Sequence, residues 1–226
     1  MDAIVVSRLR FISRVQSSIV FLLAFLCPSF CADDTPSNMT HVIVRMTGTG
    51  IPANSFAAKA KEYWRASNRY CRVDEESDPE KGIHGRTVIN EPDAWLVNLA
   101  DNTAKHLLDG GPTFNCRLPI FSSDIETTKS RIGKLEFGRE REFFQSNGAK
   151  QIEGPKLEFK ANYYELTVED SVLKFVERAD IQAPIFIGLI QQDKVIEVHY
   201  LLWDDQVPFK AVLFAAPTGV KIQEVN

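Results

Sequence analysis

From His41 to Thr47 the chain alternates, with Val42, Val44 and Met46 on one side and Arg45 and Thr47 on the other. A period of two predicts a half-buried β-strand, and Gly48, Gly50 and Pro52 end it. Phe56 to Arg65 fits strand or helix equally well, and Asn68 to Val73 reads as extended, with Tyr70 and Cys71 on opposite faces. Three short strand candidates follow, Ile83 to Asn90, Ala94 to Leu99 and Lys105 to Leu108. Asn90-Glu91-Pro92-Asp93 and Asp101-Asn102-Thr103 separate them with turn formers, which predicts an antiparallel meander. Gly110-Gly111-Pro112 then breaks the chain. Glu136 to Asn147 predicts a helix that brings Phe137, Glu140 and Phe144 near one another. Gly148 stands where a helix C-terminus favours glycine, while Gly138 weakens the helix from within.

The pattern after Asn162 is again that of strands. Tyr163 to Val168 and Val172 to Glu177 form one pair, Ile185 to Ile190 and Val195 to Trp203 another, and Phe209 to Phe214 a further strand before Pro217-Thr218-Gly219. Ile185-Phe186-Ile187-Gly188-Leu189-Ile190 is apolar on both faces, whereas a strand with one wet face would alternate. Each face of this strand therefore needs a cover. Two arrangements supply one: a closed sandwich of two sheets, or a sheet that curls around helices and leaves an apolar cavity between them.

Composition limits the function classes. Of 226 residues, 44% are apolar and 25% charged, as in a soluble globular chain, which excludes collagen-like, polytopic membrane and wholly disordered classes. A net charge of −4 lacks the basic surface that nucleic-acid binding requires, so no nucleic-acid partner is expected. Arg8, Arg10 and Arg14, the apolar run Ile19 to Cys27, and Pro28-Ser29-Phe30-Cys31-Ala32 before Asp33-Asp34 have the layout of a secretory signal peptide. The apolar run is nine residues, well short of the roughly 20 that cross a bilayer. Neither Cys27 nor Cys31 follows the small residue expected ahead of a lipidated cysteine. Cleavage after Cys31 is expected, leaving residues 32–226 as a single domain in the periplasm or outside the cell. Loss of three arginines and one aspartate takes the charge from −4 to −6. Cys71 and Cys116 remain, either as a disulfide closing a loop of about 45 residues or as two buried thiols. Asn38-Met39-Thr40 is a formal glycosylation sequon, meaningful only in a eukaryotic host.

Two blocks carry a family resemblance. GIHGRTVINEPDAWLVNLADNTAKHLLD, residues 82–109, resembles the meander of the lipoprotein-carrier superfamily, the LolA/LolB-like periplasmic proteins. APIFIGLIQQDKVIEVHYLLWDDQVPFKAVLFAAPTGVKI, residues 183–222, is similar to that family's closing hairpin and its aromatic-x-x-Pro-x-Gly ending, here Phe214 to Gly219. The resemblance implies a mainly β (α+β) fold, a curved antiparallel unclosed β-barrel with helices packed in its concave side. It implies an exported carrier or sensor that holds an acyl or lipid ligand, or a lipidated protein, with transient contact to membrane proteins. One departure is the absence of an amphipathic helix between Asp33 and His41, which leaves open a lid and the acceptance of a bulky lipoprotein. A generic lipid-binding role is the safer expectation.

No G-x-S-x-G elbow, H-E-x-x-H or P-loop occurs, and no catalytic residue, metal ligand or cofactor is expected. Glu197 and His199 share a strand face at a spacing that can present two metal ligands, with Asp204 and Asp205 close by, but a third convergent ligand is missing. The ligand-lining set expected from the large apolar side chains is Trp64, Trp95, Val97, Leu99, Phe186 and Trp203. A core would use the same residue types. The competing function class is an envelope protein-interaction or stress-sensing module without bound lipid.

Overall fold

The computed structural model describes residues 35–108 and 131–225. Contacts divide the chain into Met1–Thr35 and Pro36–Asn226, and every element below belongs to the second unit. Residues 1–31, expected from sequence to be a signal peptide and containing Cys27 and Cys31, lie outside the described residues, as does Cys116. Cys71 is buried.

Twelve strands form one sheet: β1 (Asn38–Thr47), β2 (Lys61–Ala66), β3 (Tyr70–Glu75), β4 (Gly85–Asn90), β5 (Asp93–Asn98), β6 (Thr103–Leu108), β7 (Lys150–Ile152), β8 (Ala161–Val168), β9 (Ser171–Arg178), β10 (Pro184–Gln191), β11 (Lys194–Pro208) and β12 (Lys221–Val225). Their order is β12-β6-β5-β4-β3-β2-β1-β11-β10-β9-β8-β7, and the ends do not meet. The sheet is thus two meander wings, β2 to β6 and β7 to β11, joined at the seam of β1 and β11. All neighbours are antiparallel except β12, which lies parallel to β6. Register shifts on β1 at Met39/His41 and Ile43/Val44 mark bulges, which bend a strand and sharpen its twist.

Within the sheet's central region the side chains of one face meet around a short helix, α1 (Glu140–Ser146). Val42 from β1 and Tyr63, Cys71 and Ile89 from the wing beside it join Leu166, Phe175, Ile187 and Val198 from the other wing, and Phe137, Phe143 and Phe144, in a single core. These residues span eight adjacent strands, β4 to β8 through the seam. Laid flat at about 4.8 Å per strand they would cover roughly 34 Å. A helix about 10 Å across touches both wings only because the sheet curves around it. The unclosed, curved, mainly β architecture is the one expected from sequence.

The helix is shorter than the residues 136–147 expected. Gly138, at φ +80°, turns the chain just before it, and Gly148, at φ +76°, ends it. The Gly148 and Ala149 amides donate to the Gln145 and Phe144 carbonyls, the paired hydrogen bonds of a glycine-terminated helix. Phe209 to Phe214 is not a strand. Residues 211–214 form a single 3-10 turn, and the chain reaches the sheet again only as β12. No helix among the described residues is long and apolar enough to cross a membrane.

Candidate functional site

Strand alternation and register assign every side chain to the face that carries α1 or to the reverse face. Leu96 pairs with Thr87, Thr87 with Val73 and Val73 with Tyr63, so Leu96 shares the helix face with the core residue Tyr63. Out on this wing the helix face leaves Leu96 48% and Ile83 36% exposed among the described residues. A cleft of about 770 Å³ lies here, lined by Ile83, Leu96, Asn98, Lys105, Lys221 and Gln223, and Val97 borders it. Its floor is apolar and two ammonium groups stand at its β6–β12 side. That volume falls in the range of small-molecule sites.

The reverse face is also apolar, because the chain after β11 crosses it as a strap. Phe209, Leu213 and Phe214 pack on Met39, Trp64, Ala66 and Tyr70. Arg72 donates from Nη1 to the Leu213 carbonyl at 3.4 Å. Further along, Val88, Trp95, Val97 and Ala104 form a small core with Leu99 and Val220. The strap ends in β12, and His106 fastens it there. Its Nδ1 lies 2.6 Å from Glu224 Oε2 on β12 and its Nε2 2.8 Å from Asp93 Oδ1 on β5, with the ring stacked on Trp95 at 5.2 Å. Hydrogen bonding to Asp93, then to Glu224, raises the His106 pKa above its ordinary value.

The six residues singled out from sequence do not form one lining. Trp64 lies on the reverse face, stacked on His41 and 5.1 Å from the Arg72 guanidinium. Trp95, Val97 and Leu99 also lie there, in the small core next to Val220. Phe186 is on the reverse face of the other wing, against His199 at 5.3 Å. Trp203 stands on the helix face, packed on Tyr200 at 5.9 Å. Glu197 and His199 do face the same way, bridged by Thr47 Oγ1, which lies 3.1 Å from the carboxylate and 3.0 Å from the imidazole. Among the described residues no group of three or more His, Cys, Asp or Glu is placed to hold a metal.

Sequence reading did not anticipate a polar island beneath α1. Glu140 is 1% exposed, and the Tyr200 hydroxyl donates to its Oε1 at 2.8 Å. Burial pushes the Glu140 pKa up to about 7, against the opposing Tyr200 hydrogen bond, and burial raises Tyr200 well above its ordinary range. Nearby, Arg65 pairs with Glu136 at 2.7 Å and donates to the Phe137 carbonyl at 2.6 Å. On the other flank Glu177, fully buried, accepts from Arg141, Asn162 and Tyr164. The one available signal was the carboxylate Glu140 at a core position of the predicted helix.

No protein-family model matches the chain, and no curated protein matches it in sequence. Solved structures do match. An uncharacterised conserved protein from Thermus thermophilus superposes with a TM-score of 0.50 at 11% identity, covering 84% of this chain and 91% of that one. The Pseudomonas aeruginosa MucA/MucB complex gives 0.43 at 11% identity, over 82% of this chain and 58% of that one. A LolA superfamily protein from Nitrosomonas europaea gives 0.38 at 10% identity, over 81% and 91%. The chain therefore shares its fold with the Thermus thermophilus protein, and that fold is the open curved sheet implied by its resemblance to the lipoprotein-carrier superfamily.

Proposed function

We propose that the protein is an exported, non-catalytic carrier or sensor that holds an acyl or lipid ligand on the helix face of the β4–β6–β12 wing. Residues 1–31 direct export to the periplasm or beyond and are removed, and residues 32–226 act as one domain. The observation that carries this reading is the cleft of about 770 Å³, with Ile83 and Leu96 exposed in its floor and Lys105 and Lys221 beside it. Apolar area left open on a soluble domain marks a site for something apolar. Of the six residues named from sequence, Val97 borders this cleft and Trp203 shares its face; Trp64, Trp95, Leu99 and Phe186 support the sheet from behind.

Native mass spectrometry of the exported protein, before and after solvent extraction, tests the reading. Extra mass of a lipid, lost on extraction and missing from Leu96→Asp, is the expected result. Leu96 is exposed, so the variant keeps the core. A clean apo mass together with no binding of a fluorescent fatty acid would overturn it. One feature favours a protein partner instead: β12 is an exposed edge strand, a template for strand addition by an extended peptide. A stable complex drawn from envelope extracts, with the cleft empty, would establish that second reading.

A further inference from the structure

The reverse face of the second wing carries a separate cleft. Tyr163, Val176 and Phe186 stand side by side across β8, β9 and β10, with Phe186 next to His199. The intervening residues Tyr164, Phe175 and Ile187 point the other way, into or against the main core. Over this file the segment 153–160 folds back. Tyr163 donates from its hydroxyl to the Pro155 carbonyl at 2.7 Å, and the Arg178 guanidinium lies 5.3 Å from the Phe159 ring. Between segment and sheet is a cleft of about 420 Å³ whose apolar walls are Ile152, Pro155, Leu157, Tyr163, Val176 and Phe186. Ile152 is 37% and Leu157 40% exposed, so water reaches apolar side chains that the fold has brought together.

The charges at this cleft are few. Lys174 is its one lining cation, and its Cβ lies beside the backbone of Gly188, in a row with the Phe186 ring. Glu165 stands opposite Lys174 in the register of β8 and β9, and Glu197 shares the row on the far side of Gly188, yet neither makes an ion pair with Lys174, and no other described group does. Glu153, exposed on the segment, is the one lining carboxylate. An apolar slot beside an ammonium that makes no ion pair is complementary to an amphiphile with a negative head.

We infer that this reverse-face cleft binds one unbranched acyl chain ending in an anionic head group. The chain lies between Leu157 and Pro155 above and Val176 and Phe186 below, and the head meets Lys174. The site is on the opposite face of the sheet from Leu96 and does not depend on the ligand proposed for that face.

Dodecanoate and the neutral 1-dodecanol, titrated into the exported protein, serve as probes, with binding followed by calorimetry and by backbone amide NMR shifts. The expected shifts fall at residues 152–160 and around Lys174 and Phe186. Leu157→Asp, an exposed position, weakens both probes about tenfold. Lys174→Glu weakens dodecanoate about fivefold or more and leaves 1-dodecanol unchanged. Leu96→Asp leaves these shifts in place, so failure of the helix-face site is seen separately. Shifts confined to the neighbourhood of Leu96, equal effects of Lys174→Glu on both probes, or no binding of dodecanoate would each overturn the inference.

Discussion

Glu140 and His106 titrate in opposite senses because the fold surrounds them differently. Glu140 is buried, so folding disfavours its charged form and lifts its pKa from 4.5 to about 7. Between those values the unfolded chain is deprotonated while the folded chain holds the proton, so stability falls as pH rises through that window. The loss is on the order of 3 kcal/mol by linkage. Urea unfolding should show this fall, and Glu140→Gln should flatten it and be the more stable form at pH 8. His106 gains two carboxylate partners, so its folded pKa is raised. Its contribution is complete below the ordinary histidine value of 6.5 and is lost as pH rises through the folded pKa. The protection factors of the β12 amides, exchange rates corrected for intrinsic base catalysis, should therefore fall at alkaline pH in the natural protein and lose that pH dependence in His106→Gln. Neither environment was legible in the sequence. Glu140 read as part of a helical stripe, but nothing local announces Tyr200, sixty positions away.

At the scale of elements, strands with one buried face were easy to find and those built by context were not. The alternation from Val42 to Met46 and the turn formers around Asp93 mark β1 and the β4–β6 meander closely. β7 has three exposed residues and β12 five, so neither carries a hydrophobic period to read. Phe209 to Phe214 looked like a strand because it is apolar, yet its apolar side chains belong to a strap that packs flat on the sheet. The both-sided apolar character of Ile185 to Ile190 was a true signal. Ile187 and Leu189 enter the main core, and Phe186 looks out on the reverse face. Phe214, a residue of that strap, is fully buried against the sheet. Phe214→Ala should lower unfolding stability by about 3–5 kcal/mol, with a loss of that size expected from the cavity left behind. Intrinsic fluorescence of Trp64, which packs in the same cluster, should report the loosening.

For the molecule as a whole, the curved open sheet could be anticipated because a family resemblance supplied the topology, which periodicity alone does not. Which face each aromatic residue occupies depends on register across twelve strands, and a shift of one residue exchanges the faces. That is why large apolar residues chosen by type ended on both sides of the sheet. The seam itself has a further consequence for the order of assembly. Each wing is a run of neighbouring hairpins, but β1 meets β11 across about 150 positions of chain, as Thr47 does Glu197. A chain appearing N-terminus first can pair β1 with β2 early, while its other edge waits for residues near the end. Of the antiparallel pairings, the one at the middle of the sheet thus waits longest on the emerging chain. Chains arrested before Lys194 should stay sensitive to protease across β1, and chains arrested beyond Pro208 should resist it. Until that late pairing the two wings have no common seam, and only the arrival of β11 locks one to the other.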